Sequence, residues 1–83
     1  MNNMTDSLLL EVKYKIKGDK KPVTISITEK QYVNLLELPI IETCEILGQT
    51  KETISPELIE KFNERIRLVC KENEISHTKY LIQ

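Results

Sequence analysis

Eighty-three residues, 40% of them hydrophobic and 5% aromatic, make one domain with room for a single sheet and one or two covering helices. A chain this short buries only roughly 60–65% of the surface its unfolded form exposes, which leaves little depth for an active-site cleft. A formal net charge of −1 argues against general attraction to nucleic acid or a membrane surface, and no apolar run approaches the roughly 20 residues that a bilayer needs.

The charge is unevenly spread. Lys13, Lys15, Lys17, Lys20 and Lys21 sit close together, whereas Glu37, Glu42, Glu45, Glu52, Glu57 and Glu60 follow with only Lys51 against them. One end should be basic and the other acidic. Ile, Leu, Lys and Glu abound, and Ala and Trp are absent. That bias reads as an AT-rich genome, and would suit a viral or mobile-element gene. Residues 1–7 form a polar leader expected to fray, and 8–83 a single domain. The start lacks the basic stretch and apolar run of a signal peptide, so the expected compartment is the cytoplasm. There, Cys44 and Cys70 are expected as free, buried thiols.

Residues 10–17 read L-E-V-K-Y-K-I-K, and 23–28 read V-T-I-S-I-T. Strict alternation with Val, Tyr, Ile and Thr predicts two half-buried strands, and Gly18-Asp19-Lys20-Lys21-Pro22 joins them as a hairpin. Leu10, Val12, Tyr14 and Ile16 share the inner face with Val23, Ile25 and Ile27. Thr28-Glu29-Lys30-Gln31 is a capping box opening a helix over about 29–37, covered on one side by Tyr32, Val33, Leu35 and Leu36. Leu38 precedes Pro39 and ends it.

A third strand is expected over about 40–47, ended by Gly48. One face carries Ile40, Glu42, Cys44 and Ile46; the other carries Ile41, Thr43, Glu45 and Leu47. Either choice leaves two large aliphatics facing outward. A central position, a bulge or contact with a second chain would each account for that. Ser55-Pro56-Glu57 is a strong helix start, and Leu58, Ile59, Phe62, Ile66, Val69 and Cys70 fall on one stripe of a helix over about 56–73. Leu68 projects from its charged face. The tail from Ser76 ends in Tyr80-Leu81-Ile82, and a fourth strand, a docked tail and a binding peptide all fit it.

Catalytic and cofactor chemistry finds no support in these residues. His77 is the single histidine and lies in a polar stretch, without an orienting partner. The two cysteines carry no local nucleophile signature and lack the paired spacing of a zinc site. Both glycines are isolated, so no phosphate-cradling loop is present. The chain is therefore read as a non-enzyme with no cofactor and no metal.

The expected fold is α+β: a small antiparallel sheet in the order β-β-α-β-α, with two helices packed on one face and a fourth C-terminal strand left open. The expected function is a protein-interaction module that self-associates or regulates a larger partner. Its interface candidates are Leu68, Ile41, Leu47, Tyr80, Leu81 and Ile82, apolar groups that a small domain has few places to hide. The alternative is nucleic-acid binding through Lys13, Lys15, Lys17, Lys20 and Lys21, since a basic two-stranded ribbon can neutralise phosphates. Against it, no aromatic is interleaved for base stacking, and lysines commonly guard exposed strands from aggregation.

Overall fold

The hairpin sets the frame. The computed structural model describes residues 8–51 and 54–82, and the expected leader lies outside them. Strand β1 (Leu9–Ile16) pairs antiparallel with β2 (Val23–Ile27). In the turn, the Asp19 N–H donates to the Ile16 carbonyl at 2.9 Å, and Gly18 has φ +93°. A bonded four-residue turn with positive φ at its third residue calls for glycine there.

Helix α1 (Glu29–Glu37) starts as the sequence predicts: the Gln31 N–H donates to Thr28 Oγ1, and the Thr28 N–H donates to Gln31 Oε1. Strand β3 (Ile41–Thr50) follows, then α2 (Pro56–Glu72) with Ser55 as its cap. The described chain ends in one turn of 3₁₀ helix (Thr78–Tyr80) and not in a fourth strand. The sheet order is β2-β1-β3, all antiparallel, so β1 is central and β3 an edge.

Two bulges settle the ambiguous third strand. Glu11 pairs with Gly48 and Val12 with Ile46, so Leu47 is an extra residue; Lys15 pairs with Thr43 and Ile16 with Ile41, so Glu42 is another. Each insertion shifts the two-residue alternation by one. Ile41, Cys44 and Ile46 thereby all lie opposite inward residues of β1, although Ile41 differs from them in parity. The strand also runs past Gly48 to Thr50.

Both helices cover the same sheet face. The core joins Val12, Tyr14 and Ile16 of β1 and Ile25 and Ile27 of β2 to Leu35 of α1 and Phe62, Ile66, Val69 and Cys70 of α2. The Tyr14 and Phe62 rings meet edge to face, with centroids 5.7 Å apart. Four expected core positions are half exposed: Val23, the first residue of β2, Val33 and Leu36 of α1, and Leu58 of α2. At roughly 100° per residue Val33 stands almost opposite Leu35 and Leu36 on its flank, so a nine-residue helix anchored by Leu35 turns both outward. Leu58 belongs to the first turn of α2 and lines the edge of a cleft against β2.

Candidate functional site

The lysines divide between two places. Lys13 and Lys15 alternate outward on β1, on the face that no helix covers, with Lys17 just beyond the strand; Lys20 and Lys21 are exposed in the turn. Acidic groups interleave with them. Lys15 Nζ lies 3.1 Å from Glu42 Oε2, and Lys13 pairs across the ladder with Glu45. The Glu42 contact is a product of the bulge at that residue. The basic end inferred from the sequence is thus partly offset by β3, which the sheet order places beside β1.

The interface candidates do not form one patch. Leu47 and Leu68 are 51% and 49% exposed, on β3 and α2 respectively. Ile46, beside Leu47 on the free edge, is half exposed as well. Ile41, Tyr80 and Leu81 instead pack, partly buried, against the core, and Ile82 is 8% exposed and part of it. The tail is a docked segment, not a free binding peptide.

A residue that the sequence reading passed over holds that tail. Asn63, buried on α2, donates from Nδ2 to the Ile82 carbonyl at 2.7 Å and accepts the Ile82 N–H on Oδ1 at 2.8 Å. The side-chain amide thus makes both bonds that a neighbouring strand would make. Asn34 of α1 donates to the Lys79 carbonyl at 3.3 Å, and Lys79 forms an ion pair with Glu37. The segment lies in the groove between the helices. The signal in the sequence was a poor helix former, Asn63, placed between Phe62 and Ile66 on an apolar stripe.

A cleft of about 280 Å³ opens between β2 and α2, with Tyr14, Val23, Ile25, Leu58 and Phe62 among its walls. At its rim Arg65 donates to Asp19, tying α2 to the hairpin turn. Burial pushes the Tyr14 phenol up to about 12, with the negative Asp19 adding and Arg65 opposing. Both cysteines are free, Cys70 buried and Cys44 partly so. Burial raises both thiols, which keeps them protonated and weakly nucleophilic at neutral pH. Among the described residues no three His, Cys, Asp or Glu side chains gather as a metal site, and no helix is long and apolar enough to cross a membrane.

No curated protein and no solved structure matches the chain. One family model does, over residues 1–74: it takes in the three strands and both helices and stops before the docked tail. On that match, the chain belongs to the family described as Nitrosopumilus output domain 1.

Proposed function

We propose that the chain acts by contact, as a non-enzymatic protein-interaction module that self-associates or regulates a larger partner. The observation that carries this reading is the pair Ile46 and Leu47, both half exposed on the free edge of β3. An edge strand offers unpaired backbone groups, and apolar side chains beside them favour pairing with another chain. Leu68 adds a second exposed aliphatic on α2. The family's description as an output domain names a role and not a chemistry. In sedimentation velocity, Leu47→Glu or Leu68→Glu is expected to weaken association at least tenfold, with the thermal midpoint moved by no more than a few degrees. Unchanged association in both variants overturns the reading.

Nucleic-acid binding is the second reading. Lys13, Lys17, Lys20 and Lys21 have no ionic partner among the described residues, which favours it. Glu11, Glu42 and Glu45 on or beside the same face weigh against it. Failure of the protein to be retained on mixed DNA or RNA at low salt ends that reading.

A further inference from the structure

We propose that residues 78–82 are an exchangeable arm, which docks on the Asn63 groove of its own chain or of a second copy, so that two chains can trade arms as a symmetric dimer. This rests on the self-associating form of the function proposed above.

The contact is self-contained. It consists of the two reciprocal bonds between Asn63 and Ile82, the Asn34 bond to Lys79, the Lys79–Glu37 pair, the buried Ile82 side chain and the partly buried Tyr80 and Leu81. Every one of these joins the arm to residues of α1, α2 or the core, so the same set can form with the arm of a second copy, which is the condition for domain exchange. The polar bonds fix the direction and register of the arm, so a second copy's arm fits the groove as the chain's own does.

Five residues, 73–77, join α2 to the arm, and fully extended they reach roughly 17 Å. α2 ends in a Schellman arrangement: the Ile75 N–H donates to the Cys70 carbonyl at 2.8 Å and the Glu74 N–H to Lys71 at 3.2 Å. That arrangement needs a left-handed residue, usually glycine, and here it is Glu74 at φ +58°. A non-glycine residue held there is strained, and straightening the hinge relieves that strain while giving up the two Schellman bonds and the partly buried Ile75. Asn34, Glu37 and Asn63 lie within the family match at 1–74 and the arm lies beyond it. Docking in cis competes with an effective concentration on the order of millimolar, so exchange should become visible at about 0.1–1 mM protein.

The test uses full-length chains. Asn63→Leu keeps the arm and disables the groove; Ile82→Asp keeps the groove and disables the arm. Each variant alone is expected to keep, at about 1 mM in native mass spectrometry, no more than the association that the β3 edge supplies, and an equal mixture to add a one-to-one complex beyond it. A mixture that stays monomeric while the wild type dimerises overturns arm exchange and leaves self-association standing. So do two variants that each dimerise as the wild type does. A wild type monomeric at that concentration removes both. Should either variant fail to fold, isotope-filtered NMR on equal parts labelled and unlabelled wild type decides. Contacts between the Ile82 methyls of one copy and the Asn63 amide of the other support exchange, and dimers without those contacts refute it.

Discussion

Tyr14 illustrates how folding changes a single residue. An exposed phenol titrates near 10.0, and burial together with Asp19 holds this one at about 12. The folded value lies above the unfolded one. The stability gained by keeping the phenol neutral is therefore whole below pH 10 and is lost as pH rises toward 12. A two-unit shift corresponds to about 2–3 kcal/mol. Chemical denaturation at a series of alkaline pH values should show stability falling above pH 10, and Tyr14→Phe, which keeps the ring against Phe62, should show a smaller fall. An equal fall in both would mean that other groups dominate. The sequence marked Tyr14 as inward by alternation alone. It gave no sign of the Asp19 and Arg65 charges near the phenol, because Arg65 reaches it from a helix 51 positions along the chain.

At the scale of elements, local chemistry is decisive where the partners are neighbours in sequence. Thr28 with Gln31, Ser55 with Pro56, and Gly18 in its turn were all legible, because each satisfies or relieves backbone within four residues. The end of α2 follows the same rules with an unfavourable residue. Replacing Glu74 by Gly keeps the Schellman bonds and removes the left-handed strain, set against the greater unfolded freedom of glycine. Stability is expected to rise by about 0.5–1 kcal/mol, a midpoint roughly 2–8 °C higher in a thermal melt. A lower midpoint would show that the Glu74 side chain stabilises the hinge. The bulges of β3 were less legible. Either parity fitted part of the pattern, and only the register against β1 shows that Glu42 and Leu47 are the inserted residues.

For the whole molecule, the tail matters most, since it closes the gap between two helices brought together by the sheet. Asn63→Ala leaves the Ile82 N–H and C=O buried without those partners, and an unsatisfied buried group costs about 1–3 kcal/mol. The expected loss in denaturant unfolding is about 2–4 kcal/mol, a large share of the margin of so small a domain. A loss below about 1 kcal/mol would mean that water replaces the amide as the tail leaves. The candidate surface is reorganised at this scale as well. Of six apolar candidates, Leu47 and Leu68 stay well exposed, while Ile41, Tyr80, Leu81 and Ile82 are drawn onto or into the core.

Period-two alternation, capping residues and glycine position acted over a few residues. The sequence by itself therefore determined the five elements, their order, the starts of both helices and the inward face of β1. Tertiary structure decided what depends on distant neighbours. It placed β3 beside β1 on the edge opposite β2, and set Glu42 against Lys15. It also turned a buried asparagine into the clasp for the tail. Hydrogen-bond partners and charge pairs separated by 19 to 46 residues leave no local pattern, and burial in a thin core depends on which surfaces the sheet brings together.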